Sequence, residues 1–510
     1  MNTNRYPSQI LIVFAMIAAQ MMPLNLWAQR KPLTSNTDVV PVQVGAPEKS
    51  TGPRFVDAKN PQAKDLIRLF QEAAKYDATY NVAKNAYLAG KENYWLAFSL
   101  LAPQITGTYN TSTTDQRFDP NLGRTDASLS FSSTSYGVSL TQPLFNWVAY
   151  EKFRQGDLLT GVAEANFAQA QQDLIVRVSQ AYFDALNSQD SLDLIQNKKF
   201  LIKQQLDQAK RNFEVGTATI VDANEAQSRY DLVIAQEIFA QADLIIKKST
   251  LEQIVGTPID AILPLSKMAK IETVVQDRKI KYLNKNKGAL ASSELIETLK
   301  IPTGQTMDDW TRQVEEVNYS VLASKLNAEV AKSNYAGSRA AHLPSLNLVG
   351  SSGYTTQLRS LSTSVPTTYY SNVLGLQLSV PIFSGGLTTA TSRQSAALYD
   401  QALATFDLTK KTNATAAKQA YLGFNSGLSQ VKAYEAAEKS ALTSLQSNKV
   451  GYEVGVRINI DVLNSQDQLI TTQSLLYKSR YDTIMFGLKL KSLAAILTDD
   501  DLIAVNALLH

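Results

Sequence analysis

The chain has 510 residues, 49 basic and 46 acidic, with a net charge of +3, no cysteine and only two histidines, His342 and His510. The charges are interspersed, which leaves no electrostatic footprint for nucleic acid. Without cysteine there are no disulfides, no N-terminal lipid-bearing cysteine and no iron–sulfur or thiol chemistry; zinc and histidine-based catalysis have almost no ligands to draw on, so neither an enzyme nor a cofactor is expected.

Arg5, the apolar run ILIVFAMIAA (10–19) and NLWAQ read as an export signal over residues 1–28, cut near Ala28. The run is shorter than the about 20 residues of a spanning helix, and no later segment is apolar enough for one. Residues 29–60, rich in Pro, Thr, Ser and Val, read as an extended leader.

Helical spacing runs from about Gln62 to Pro103. The period then changes: QITGTYNTSTT (104–114) and SLSFSSTSYGVSLTQ (128–142) alternate as strands do. Leu144 to Thr257 contains no proline and favours long helices. Val148 to Phe213 alone would span about 100 Å at 1.5 Å per residue, roughly three times the ~30 Å hydrocarbon thickness of a bilayer.

Residues 257–316 are Lys-rich, mixed in pattern and without a counterpart in the first half, so they read as a lateral insertion. The plan then recurs, with a helix over 317–344, strands in SLNLVGSSGYTTQ and TYYSNVLGLQLSV, and no proline from Ile382 to His510. GVSLTQPLF (137–145) aligns with GLQLSVPIF (375–383), setting Pro143 against Pro381 and Phe145 against Phe383. Tyr182 in QAYFDAL precedes Gly216 by 34 residues, and Tyr421 in QAYLGFN precedes Gly455 by the same 34. Two tandem repeats, 61–256 and 317–510, follow from this order.

In the last strand Leu374, Leu376, Leu378 and Val380 share one face, with Gly375, Gln377 and Ser379 on the other. That alternation suits an outer-membrane barrel strand and equally a half-buried sheet of a soluble domain. The long helices favour a membrane barrel carrying a tube. Four strands cannot close a membrane barrel, which begins at about eight, so two or three chains must combine.

Each helical hairpin turns in a similar phrase, NFEVGTATIVDANEAQ (212–227) and GYEVGVRINIDVLNSQ (451–466), with Gly216 and Gly455 where a helix end needs a left-handed residue. The PLF and PIF junctions, the QAY marks and these tips jointly resemble the TolC family of outer-membrane efflux proteins over roughly residues 62–500. The resemblance implies a fold of membrane β-barrel plus long α-helical barrel: a homotrimer with four barrel strands per protomer, periplasmic hairpins and a mixed equatorial region holding 257–316. It implies a passive exit duct of a tripartite efflux pump or type I secretion system, opened by a periplasmic adaptor and driven by a proton-driven or ABC inner-membrane pump, in contact with outer-membrane lipid.

By the same resemblance Val215, Gly216, Val454 and Gly455 dock the adaptor. Tyr452 and Arg457 link to Asp222 and hold the mouth shut; Asp461 joins an acidic ring, and Asn464 stands where relatives carry a second Asp. Two features depart from the family pattern: VNYSVLASKLNAE lacks an Arg-Pro-Glu-type entry, and PLFNWVAY lacks the Gly-Gly of PIFSGG. The competing reading is a periplasmic structural coiled-coil protein without channel activity.

Overall fold

Where one helix was expected from Gln62 to Pro103, two stand. Helix α1 (Leu66–Tyr76) and helix α2 (Ala78–Phe98) are separated by Asp77, whose backbone leaves helical geometry at φ −59° and ψ 118°. Its carboxylate accepts from the N–H groups of Thr79 and Tyr80, which satisfies donors that a helix start leaves open. Arg177 pairs with the same carboxylate. Burial pushes the Asp77 carboxyl up, but Arg177 and the two N–H groups outweigh it and hold it below the usual carboxylate range.

Asn318 repeats the device at φ −58° and ψ 131°, between α5 (Met307–Val317) and α6 (Tyr319–Ala340). Its side chain accepts from the N–H groups of Ser320 and Val321 and donates to the Leu493 carbonyl at 2.8 Å. Helix α5 stands to α6 as α1 stands to α2, so the end of the 257–316 segment has a first-half counterpart after all. The sequence pattern hid it because a lone Asp or Asn inside a helical period looks like a solvated helix position.

The computed structural model describes residues 64–117, 128–217, 219–265, 306–357 and 367–509, which belong to one unit, Asp57–His510. The expected signal peptide and leader, most of the 257–316 segment, Ala218 and His510 lie outside the described residues.

Strands β1 (Gln104–Arg117), β2 (Ser128–Phe145), β3 (Ser345–Gln357) and β4 (Thr367–Ser379) form one antiparallel sheet in that order. The β2–β3 ladder joins the two halves of the chain, while β1 and β4 each leave one edge unpaired within it. Asn146 follows β2 directly and caps the next helix, accepting from the Ala149 N–H at 3.0 Å. That helix, α3 (Trp147–Glu214), has 68 residues, about 102 Å at 1.5 Å per residue.

Helix α4 (Ile220–Val255) returns along α3. The second half follows with α7 (Leu387–Glu453), of 67 residues, and its return helix α8 (Asn459–Leu493). Each return helix covers one half of its partner, and shorter helices cover the rest: α2 and α6 on α3, and α6 on α7. The order α2–β1–β2–α3–α4 thus recurs as α6–β3–β4–α7–α8.

The main core lies where the first and last described helices meet the middle of the long helices. Leu66 and Leu69 of α1, Leu174 to Leu186 of α3, Ile484 and Leu488 of α8, and Leu502 and Val505 of α9 (Asp499–Asn506) form one cluster. Tyr182 of the QAY mark is fully buried there and donates to the Leu263 carbonyl at 2.7 Å. Asn506 ties the two ends, accepting from the Leu66 N–H at 3.0 Å and donating to Asp65. Single bridges Lys64–Ile262 and Leu265–Leu509 complete the clasp.

Candidate functional site

The sheet divides sharply by level and by face. On one face run Ile105 and Tyr109 of β1, Tyr136, Val138 and Leu140 of β2, Leu346, Leu348 and Tyr354 of β3, and Tyr370, Leu374, Leu376 and Leu378 of β4. The ladder registers set Tyr109 opposite Tyr136, Tyr136 opposite Tyr354 and Tyr354 opposite Tyr370. One tyrosine row crosses all four strands. Beyond it, away from the helices, the strands turn to Thr, Ser, Asp and Gln; directly below it Ser352 donates to Asn372 at 2.7 Å on the same face, and nearer the helices that face is aliphatic. Tyr370 to Leu378, interrupted by Asn372, covers about 26 Å of strand at ~3.3 Å per residue, comparable in length to the ~25 Å apolar band of an outer-membrane barrel. The opposite face carries Thr106, Thr108, Gly137, Ser139, Ser351, Ser371 and Gln377.

The two strand-to-helix junctions have different geometries, as PLFNW and PIFSGG suggest. Pro143 lies inside β2 past its last β1 partner, Thr141, where its missing N–H breaks no bond to that strand. The register against β3 shifts between Pro143 and Phe145. Pro381 and Phe383 instead lie beyond the end of β4, with Phe383 largely exposed, and Gly385 and Gly386 both take positive φ, +63° and +84°, before α7.

The two distal tips share one construction. Thr217 N–H donates to the Asn212 carbonyl at 2.8 Å and Gly216 N–H to the Phe213 carbonyl at 3.0 Å; Val456 to Gly451 at 2.8 Å and Gly455 to Tyr452 at 3.1 Å repeat this. These paired bonds are the Schellman ending of a helix, which requires a left-handed residue after the last turn. Gly216 and Gly455 supply it at φ +75° and +77°, and no atom lies near enough to exclude a Cβ, so the conformation alone demands glycine. Val215 and Val454 stand 72% and 67% exposed, and around them Ile220, Val221, Val456 and Ile458 are also exposed. Of this apolar patch, only the valine–glycine pairs stand out in the sequence.

The tips differ in how the chain leaves them. At the first, Thr219 and Asp222 form a capping box: Asp222 accepts from the Thr219 N–H at 3.1 Å and hydroxyl at 2.7 Å. At the second, Ile458 occupies the cap position and gives no side-chain bond. Among the described residues of one chain, Tyr452 and Arg457 make no bond to Asp222, whose Oδ2 accepts both capping bonds. Tyr452 Oη instead accepts from Asn212 Nδ2 at 3.4 Å, and Arg457 lies 3.7 Å from Asp461, one turn along.

Asn464 accepts from Arg229 of α4 at 2.9 Å, and Asp467 meets both Arg229 and Lys198 of α3 at 2.9 Å. Asn212, Lys198, Arg229 and Asp467 carry no local motif that would have marked them.

An apolar four-stranded sheet continuous with helical hairpins of this length defines a class, the outer-membrane channels. The fold matches the Campylobacter jejuni CmeC outer membrane channel at a TM-score of 0.67 and 15% identity, over 94% of this chain and 98% of that one. The outer membrane efflux protein family matches residues 69–257 and 310–493, and the chain belongs to that family. It is 27% identical to outer membrane protein TolC of Vibrio cholerae over 87% of this chain and 94% of that protein. It is 28% identical to the alkaline protease secretion protein AprF of Pseudomonas aeruginosa, over 87% of each. The protein is thus an outer-membrane protein with its helices on the periplasmic side, which sets aside the reading as a structural periplasmic coiled coil.

Proposed function

We propose that the protein is the passive exit duct of a tripartite efflux pump or a type I secretion system. Three copies close a twelve-stranded barrel, and their hairpins form one periplasmic tube whose tips a periplasmic adaptor opens. The observation that carries this reading is the pair of sheet edges, β1 and β4, that no strand covers among the described residues, on a sheet with one largely apolar face. Lipid offers no hydrogen bonds to an open edge, so other copies must supply them. Three copies rather than two leave an open lumen, lined by the mostly polar face opposite the tyrosine row. The two tandem repeats give each copy two hairpins in the tube.

The exposed valines and isoleucines around Gly216 and Gly455 suit adaptor docking, since apolar patches at an exposed tip serve contact better than solubility. At the second tip Tyr452, Arg457, Asp461, Asn464 and the neighbouring Asp222 form the gate. An exposed pair such as Arg457–Asp461 contributes about 0–1 kcal/mol, so a threefold set holds a closed state that partner binding can reverse. Energy comes from an inner-membrane pump, and the family relatives named for efflux and for protease secretion support both kinds of partner.

The purified oligomer in a planar lipid bilayer tests this. It should conduct weakly, with Arg457→Ala and Tyr452→Phe raising the conductance. No conductance from a membrane-inserted oligomer would contradict the duct; unchanged conductance in both variants would contradict the gate.

A further inference from the structure

The face of the sheet opposite the tyrosine row carries no charge among the described residues. The ladder registers place on it the even positions of β1 from Gln104 to Thr114, and the odd positions of β2 from Phe131 to Thr141, of β3 from Ser345 to Gln357 and of β4 from Thr367 to Ser379. None of these positions holds Asp, Glu, Lys, Arg or His. Most hold Ser, Thr, Gly, Asn or Gln; the exceptions are Val349 and Val373, with Phe131 and Tyr369 towards the outer end. Thr106, Ser139 and Ser351 lie at one level of this face, and Asp115 is the first charge met along β1, nine residues beyond Thr106. That is about 30 Å at ~3.3 Å per residue, well past the Debye length of about 10 Å at 0.1 M salt. The stretches 104–145 and 345–386 hold only six charged residues, Asp115, Arg117, Asp119, Arg124, Asp126 and Arg359, three of each sign. The outer end therefore adds no net charge.

Such a wall serves either sign. A hydroxyl can donate and accept, and a carboxamide offers both a donor and an acceptor, whereas a carboxylate only accepts and an ammonium or guanidinium only donates. A wall of the first kind meets a passing cation or anion equally well. Small residues at Gly137, Ser139, Ser351, Gly353, Ser371 and Gly375 also keep it low. The hairpin tips differ, with Asp222, Arg457 and Asp461 in place, so sorting by charge falls to the helical tube. We infer that the barrel is a charge-indifferent passage, which takes hydrated cargo of either or mixed charge, a polypeptide included, rather than ions of one sign. The inference rests on the duct reading above, which makes this face the lumen wall.

The test uses the full-length oligomer in lipid vesicles, with Ser351→Cys as the single thiol of a chain that has no cysteine of its own. A cationic and an anionic methanethiosulfonate are each timed against it at about 0.1 M salt, and each rate is divided by that of the same reagent with a free thiol in solution. The two relative rates should agree within about threefold, because no fixed charge sets a local potential there. Ser139→Asp, placed directly opposite Ser351, should tilt the ratio towards the cationic reagent and so show that the thiol reads charge. Leu376→Cys, on the tyrosine-row face, should stay unreactive in lipid. Should Ser351→Cys fail to assemble, Thr106→Cys, also opposite Ser139, takes its place. A preference for either sign of more than about threefold, without Ser139→Asp, would overturn charge indifference and leave the duct standing. Reaction at Leu376→Cys with none at Ser351→Cys would put lipid on the wrong face and overturn the duct reading itself.

Discussion

Tyr136 of β2 lies directly opposite Tyr354 of β3, with ring centroids 4.8 Å apart, and Tyr354 in turn meets Tyr370 of β4 at 5.0 Å. The row joins strands from both halves of the chain at the level where the aliphatic band ends. Amphipathic rings at that level suit a membrane–water interface, and cross-strand aromatic pairs also bind the strands together. Tyr354→Ala loses both ring contacts, about 1–3 kcal/mol at ~0.5–1.5 kcal/mol per pair. It should lower the temperature at which the detergent-resistant oligomer dissociates by more than Tyr109→Ala, whose ring lies outside both contacts. Equal shifts would mean that the row acts only through lipid.

Gly216→Ala and Gly455→Ala probe the tips without crowding them. Each forces an L-residue into a left-handed conformation at a cost of roughly 1–2 kcal/mol. The Schellman bonds of that turn should loosen, seen as faster amide exchange at Thr217 or Val456, while the core helices keep their protection. The second tip should respond more, because its return helix has no side-chain cap. Unchanged exchange at both turns would show that φ there is not under strain.

Asp77 gives a pH dependence of defined sign. Its carboxyl titrates below the usual ~3.9 in the folded chain. The ionised form therefore adds stability that is fully present above that ordinary value and is lost as pH falls through the lower, folded one. Asp77→Ala should cost about 0.5–2 kcal/mol near neutral pH through the lost cap, and more through Arg177, whose partner disappears. The difference from wild type should shrink in acid, below about pH 4. An acid-unfolding curve by circular dichroism checks this; a gap that stays constant into strong acid would contradict the assignment.

Much of the architecture is legible in the residues because it rests on local rules. Proline-free runs give α3 and α7, alternation gives the four strands, and the two valine–glycine phrases give the tips. The helix breaks at Asp77 and Asn318 follow a local rule as well, but their caps compete with a helical period that continues on both sides. The contacts that join the hairpins lie beyond any local rule. Asn212 with Tyr452, and Lys198 and Arg229 with Asp467, pair residues far apart in the chain, and only the packing of α8 against α3 and α4 brings them together.

In the proposed duct, three copies close the sheet through β1 and β4. The chain has no native cysteine, so introduced pairs are unambiguous. Adjacent antiparallel strands hold opposite Cα atoms about 4.5–5.5 Å apart, within the ~4.4–6.8 Å that a disulfide spans. Thr108→Cys, combined in turn with Ser371→Cys, Val373→Cys or Gly375→Cys on the same face of β4, samples the inter-copy register. Oxidation in outer membranes should give, in at least one combination, a covalent ladder that ends at three chains. A ladder that ends at two, or no cross-link in any combination, would contradict the trimeric barrel.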